Sequence, residues 1–128
     1  MERNEFKTMN TEALAYMGDA VYEQAVREKL LHEGTRRVDN LHRKAVSYVN
    51  AEAQSKAIKE IFDELAEEEQ ALVKRARNHK FHSKAKHADA VTYKWATAFE
   101  ALVGYYYLAG EEEKLRTLLE RAFSIIGG

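Results

Sequence analysis

Residues 93–110 read YKWATAFEALVGYYYLAG, and the only charges in the stretch are Lys94 near its start and Glu100 in its middle. No proline interrupts it, and Gly110 stands where a left-handed stop ends a helix. Read as a helix from Val91 to Ala109, it is too apolar for the surface of a bundle and belongs inside one. The rest of the chain agrees with that reading. Proline is absent throughout, Ala, Glu, Lys and Leu are prominent, and alternating runs of Val, Ile and Thr are hard to find. The expectation is an all-α domain. A first long helix starts at an Asn10 or Thr11 cap and runs to about Leu31, stopped by Gly34. A short helix over Val38–Val46 and a longer one over Ala51–Glu64 follow. Glu67, Glu68 and Glu69 then open a helix that closes with Lys74, Arg75 and Arg77, charges that suit the two ends of its dipole. His79 to Asp89 reads as a loop, and Glu111 to Ile126 as a terminal amphipathic helix.

The 128 residues fit one domain, 45% apolar and 32% charged, with 20 basic against 21 acidic side chains. Without cysteine there is no disulfide framework, zinc ribbon or thiol chemistry. The opening MERNEFKTMN has no apolar signal stretch, so a cytosolic protein with no membrane segment is expected. The near-zero net charge conceals an uneven distribution. From Lys74 to Lys94 the chain carries Lys74, Arg75, Arg77, Lys80, Lys84, Lys86 and Lys94 against Asp89 alone. Arg36, Arg37, Arg43 and Lys44 form a second basic group. The first group is either a solvated loop or a surface for nucleic-acid phosphates. His79, His82 and His87 lie within it and match no H-E-x-x-H pattern, so they read as RNA-facing or surface groups.

Acids are most informative where they stand alone. In ALAYMGDAVY, residues 13–22, Asp19 is the only charge. On a helical wheel Leu14, Met17, Val21 and Ala25 share one face, and Asp19 lies opposite among Ala15, Tyr22 and Val26, so this helix is expected to be buried nearly all round. Glu12 and Glu23 fall at similar angles, and Glu23 with Arg27 reads as a surface pair at i and i+4. A carboxylate removed from water costs several kcal/mol unless it is paired or bound to metal. Either Asp19 and Glu100 each meet a distant cation or helix end, or both converge on a hard divalent ion such as Mg²⁺, which needs few protein carboxylates. Gly18 and Gly104, placed inside helices, leave room for another backbone or a ligand.

LAYMGDAVYE (Leu14 to Glu23) resembles the signature helix of the ribonuclease III family, and FEALVGYYYLAG (Phe99 to Gly110) resembles its second acidic helix. HRKAVSYVNAEAQSKAI (residues 42–58), LVKRARN (72–78) and TYKWATAFEALVG (92–104) extend the likeness over most of the chain, to the short bacterial branch that lacks a double-stranded-RNA-binding domain. The resemblance implies a single ribonuclease III-like catalytic domain over residues 1–128. It makes Asp19 and Glu100 the catalytic, metal-holding acids and Mg²⁺ the cofactor. The family also has acids where this chain has Ala15 and Thr97; Thr97 would act through its hydroxyl in the outer shell, and Glu12 matches a further acidic position. The implied reaction is hydrolysis of double-stranded RNA to 5′-phosphate and 3′-hydroxyl ends, on 23S ribosomal RNA precursor, by a homodimer and with a ribosomal protein as possible partner. Lys74, Arg75, Arg77, Asn78, Lys80, Lys84 and Lys86 would grip the RNA backbone, and Tyr16, Tyr22 and Tyr105 to Tyr107 would furnish the dimer contact. Two alternatives remain open: a non-catalytic RNA-binding or assembly factor of the same fold, and a metal-independent ribonuclease resembling the HEPN family through the R-x₄-H spacing of Arg77 and His82.

Overall fold

Helix α6 (Ala90–Leu108) is the axis around which the other elements of the computed structural model are arranged. The structure describes residues 3–79 and 89–128. From Ala96 to Tyr106 every α6 residue except Glu100 is buried. The polar face that a surface helix would need is missing from the sequence, and the fold supplies neighbours on all sides instead. Helices α2 (Thr11–His32), α4 (Ala51–Ile61) and α5 (Glu67–Asn78) pack directly on it, with α2 in the most extensive contact. Helix α7 (Glu112–Gly127) closes the bundle over α4, and α3 (Val38–Val49) lies on α2. A short helix, α1 (Arg3–Lys7), was not expected from the polar N-terminus; it is held by Phe6, which is buried in the core. Among the described residues there is no strand, and no helix is long and apolar enough to cross a membrane.

Local signals set the ends. Asn10 caps α2 by accepting from the Glu12 N–H at 2.7 Å, and Gly34, at φ +100°, ends the turn after it. Helix α3 runs a turn beyond the expected Val46, because Tyr48 and Val49 still pack against the core. Asn50 then serves two helices: its Nδ2 donates to the Val46 carbonyl at 2.8 Å, and its Oδ1 accepts from the Ala53 N–H at 2.8 Å. Helix α4 stops at Ile61 rather than Glu64, and Phe62–Glu64 tightens into a 3₁₀ turn. At the start of α5, Glu69 is buried, accepts from the Ala66 N–H at 3.1 Å and receives Lys114 Nζ at 2.9 Å.

The burial of α2 corrects the expectation of a helix enclosed all round. Leu14, Ala15, Gly18, Tyr22, Val26 and Leu30 are buried, at the 3–4-residue spacing of a single stripe. Asp19, Ala20, Glu23 and Gln24 are exposed, and Tyr16 keeps 84% of its surface in water. The stripe is centred on Gly18 and Tyr22, between the two faces drawn from the sequence. Gly18 has no side chain to hold the partner helix away, so α2 leans onto α6 along this line.

Candidate active site

Gly18 and Gly104 meet where α2 crosses α6. A Cβ on Gly18 would stand 1.7 Å from the Glu100 carbonyl oxygen, and one on Gly104 would stand 2.0 Å from the Leu14 carbonyl oxygen. Real Cβ atoms do not approach backbone that closely, so only glycine admits the crossing. The sequence reading that these glycines make room for another backbone is what the structure displays. Because Asp19 follows Gly18 directly, and Glu100 lies one turn before Gly104, the crossing brings the two isolated acids to one edge of the α2–α6 seam.

The electrostatics there are those of crowded like charge. The Glu100 carboxyl is pushed up to about 8, first by burial, then by the charge of Asp19 and a hydrogen-bonding interaction with it, with Glu23 adding to the shift. The Gln54 side-chain amide works against the shift by hydrogen-bonding the charged form. Gln54 is almost fully buried on α4 and also donates to the Val49 carbonyl at 3.2 Å. Neither Gln54 nor Glu23 belonged to the site foreseen from the sequence. The signal for Gln54 was its register: it falls on the same α4 face as Ala57, Ile58 and Ile61, where a polar side chain must find a partner. Glu23 forms no ion pair with Arg27 among the described residues, contrary to expectation. Its field instead reaches Glu100.

Beside the acids, Tyr22 is fully buried, donates its hydroxyl to the Tyr48 carbonyl at 2.9 Å and packs edge-on against Phe99 at 5.0 Å. Its phenol is raised well above the usual tyrosine range, by burial first and then by Tyr48 and Glu100. Thr97 is buried and donates to the Tyr93 carbonyl at 3.0 Å, which commits its proton to the backbone of its own helix. Glu12 is drawn away to the His79 ring. Among the described residues no cluster of three or more His, Cys, Asp or Glu has the geometry to hold a metal. Asp19 and Glu100 are therefore two carboxylates rather than a complete cage. Such a pair fits a hard cation that keeps most of its waters, and a divalent charge would offset the burial and the repulsion that together hold a proton on Glu100.

The acid pair imposes a pH dependence on the metal-free protein. Between the ordinary value near 4.5 and about 8, folded Glu100 keeps a proton that the unfolded chain has released. Stability therefore falls as pH rises through this window and levels off above it. Thermal melts in chelator from pH 4.5 to 8.5 check this; the decline flattens in Glu100→Gln, and an equally steep decline in that variant would contradict the assignment.

The cations foreseen for RNA are not all on one surface. Lys74 Nζ lies 5.7 Å from the centre of the Phe62 ring, and the Arg77 guanidinium lies 5.0 Å from that of Trp95. Arg77 Nε also donates to Asn78 Oδ1 at 3.0 Å. Arg75 turns the other way and donates to the Lys7 and Met9 carbonyls at 2.9 and 3.3 Å, fastening α1 to α5. Lys80, Lys84 and Lys86, with His82 and His87 and most of the expected loop, lie outside the described residues. Of the tyrosines foreseen at a dimer contact, Tyr22, Tyr105 and Tyr106 are buried in the core, and Tyr16 and Tyr107 are exposed.

The Ribonuclease III domain matches residues 12–111. The chain belongs to the ribonuclease III family. It is 50% identical over 113 residues to the Mini-ribonuclease 3 of Symbiobacterium thermophilum, covering 88% of this chain and 87% of that protein. The Mini-ribonuclease 3 of Brevibacillus brevis is 44% identical over 119 residues, with 93% and 89% covered, and that of Enterococcus faecalis is 41% identical over 125, with 96% and 95% covered. A crystal structure of a Fusobacterium nucleatum protein superposes with a TM-score of 0.81 at 31% identity, covering 94% of this chain and 96% of that one. This ribonuclease III-family chain is accordingly an endoribonuclease of the Mini-ribonuclease 3 kind.

Proposed function

We propose that the chain cleaves double-stranded RNA in a Mg²⁺-dependent reaction, leaving 5′-phosphate and 3′-hydroxyl ends, and that it matures 23S ribosomal RNA precursor in the cytosol. The observation that carries this reading is the carboxyl of Glu100, raised to about 8 at a crossing that sets Asp19 beside it. Asp19 and Glu100 would hold Mg²⁺, which when bound supplies a more acidic water and positive charge against the scissile phosphate. The chain's own residues do the rest. Glu100 must release its proton before it can bind a cation, so loading strengthens as pH rises toward 8. The Gln54 amide steadies the charged carboxylate, and the Gly18–Gly104 crossing fixes its position relative to Asp19. Lys74, Arg77, Asn78, Lys80, Lys84 and Lys86 are assigned to the RNA backbone, read by shape and phosphate rather than by sequence, and Arg75, which holds α1, is left out of that set.

Two copies would face the two strands of one duplex. Of the tyrosines, the exposed rings of Tyr16 and Tyr107 are accessible for joining them, and the buried Tyr22 is not. A monomeric mass at catalytic concentration would overturn the paired arrangement, and with it the assignment of a ribosomal protein as a further partner of the dimer. The test of the reaction is incubation of the purified protein with duplex RNA, with and without Mg²⁺, followed by identification of the ends. Cleavage with 5′-phosphate products only when Mg²⁺ is present is expected. Cleavage in chelator with 2′,3′-cyclic phosphates would overturn the reading.

A further inference from the structure

Several basic side chains among the described residues meet a carboxylate where they stand. Lys7, Lys29, Lys114 and Arg121 each meet a carboxylate, and Arg37 pairs with Asp39. Three cations are treated differently. Lys59 Nζ on α4 lies 5.7 Å from the centre of the Trp95 ring, on whose edge-on neighbour Phe62 the Lys74 ammonium rests at 5.7 Å; Arg77 faces Trp95 at 5.0 Å. The two rings meet at 90° with centres 6.3 Å apart. Three helices and the 3₁₀ turn thus contribute to one cluster: Lys59 from α4, Phe62 from the turn, Lys74 and Arg77 from α5, Trp95 from α6. None of the three cations has a carboxylate partner among the described residues. Glu60, beside Lys59, adds its field to Arg121.

An aromatic face holds a cation's stem and orients its head without cancelling its charge. A carboxylate would have held it equally well and removed the charge. Three oriented positive charges at fixed spacing suit a ligand that presents several anions at fixed spacing. A nucleic-acid backbone is such a ligand, and the half-buried rings keep the cations from collapsing onto the nearby acids. We propose that Lys59, Lys74 and Arg77, mounted on the Phe62–Trp95 ring pair, form a platform for the phosphates of duplex RNA, with Trp95 as its positioning residue. The proposal rests on the duplex-RNA reading above and extends it to Lys59, which lies in sequence far from the basic run that begins at Lys74.

Trp95 is the chain's single tryptophan, so the platform carries its own reporter. The experiment titrates the protein with a non-cleaved RNA duplex in chelator, following tryptophan emission and the anisotropy of labelled RNA at several salt concentrations. Saturable quenching or enhancement of the emission is expected. Lys59→Gln should weaken binding several-fold and reduce the slope of log K against log salt by about 0.9, the share of one phosphate contact, and Lys59→Arg should restore both. Trp95→Leu should weaken binding with no change of charge, and Trp95→Phe should recover most of the loss. An unchanged affinity and slope in Lys59→Gln would overturn the platform. If Lys84→Gln/Lys86→Gln still weakened binding in that case, the duplex-RNA reading would stand without it. If the wild-type protein bound no duplex at all, both would fall.

Discussion

Glu100→Gln and Asp19→Asn each lose Mg²⁺-dependent cleavage of duplex RNA by at least about 10³-fold, while circular dichroism and melting show an intact bundle. The size follows from the metal's share of the barrier, several kcal/mol, with each 1.36 kcal/mol worth about tenfold in rate. Among the described residues no group of three acids is set to hold a metal, so the loss of one carboxylate of the pair leaves the site without its second ligand. The fold survives because neither carboxyl supports it. Glu100 is held in its half-buried position at the expense of its own ionisation, and glutamine, neutral at every pH, relieves that strain. The two variants separate the chemistry from the architecture for the same reason. Single-turnover cleavage with excess enzyme is the measurement, and wild-type rates in either variant would remove both residues from the site.

The second large effect concerns Gly104→Ala and Gly18→Ala. In an open helix this exchange would stabilise by up to about 1 kcal/mol, because alanine is the better helix former. Here the added methyl would land 2.0 Å or 1.7 Å from a carbonyl oxygen of the opposing helix. The obstacle is main chain, so no rotamer change clears it and the helices must part. Overpacking of this kind costs roughly 1–3 kcal/mol, and more where backbone must move, so a net destabilisation near the upper end, about 3 kcal/mol, is expected. In a domain of this size that lowers the melting temperature by roughly 10 °C. Parting the helices also separates Asp19 from Glu100, so residual folded protein should have lost activity as well. A melting temperature equal to or above wild type in either variant would contradict the crossing as described.

Much of this was readable before any coordinates. A charge-poor run without proline sufficed for α6, and Glu100 announced itself as the one acid within it. Gly18 and Gly104 were visible as glycines that a helix does not need. What escaped reading had a common cause, that a polar residue's letter does not say which way it faces. Gln54 drew no reading of its own, and α4 turns it inward toward Glu100. Glu23 had a ready i+4 partner in Arg27, and local pairing is the default inference where a longer-range field cannot be seen. Arg75 sat in a basic run yet tethers the α1 segment, a contact across more than sixty residues that no local pattern encodes. The enclosure of α2 was overestimated because two apolar faces were drawn, Leu14, Met17, Val21 and Ala25 opposite Ala15, Tyr22 and Val26, where the structure has one stripe flanked by partly buried residues. The exposed Ala20 and Tyr16 show that apolar letters also line a face left to water.

Helix α3 differs from every longer helix of the bundle in having no fully buried residue. Its Leu41, Ala45, Tyr48 and Val49 lean on the core, and Val38 and Val46 remain open to water. Such an element has little hydrophobic anchorage of its own and takes its direction from its end. That end is a single amide, Asn50, which grips the last turn of α3 with one atom and the first turn of α4 with another. Since α4 also carries Gln54, the same joint that orients the loosest helix sits one turn from the side chain that tempers the acid pair. Movement of α3 would thus be felt at Glu100 through the main chain of a corner, with no side chain of α3 itself required to enter the site.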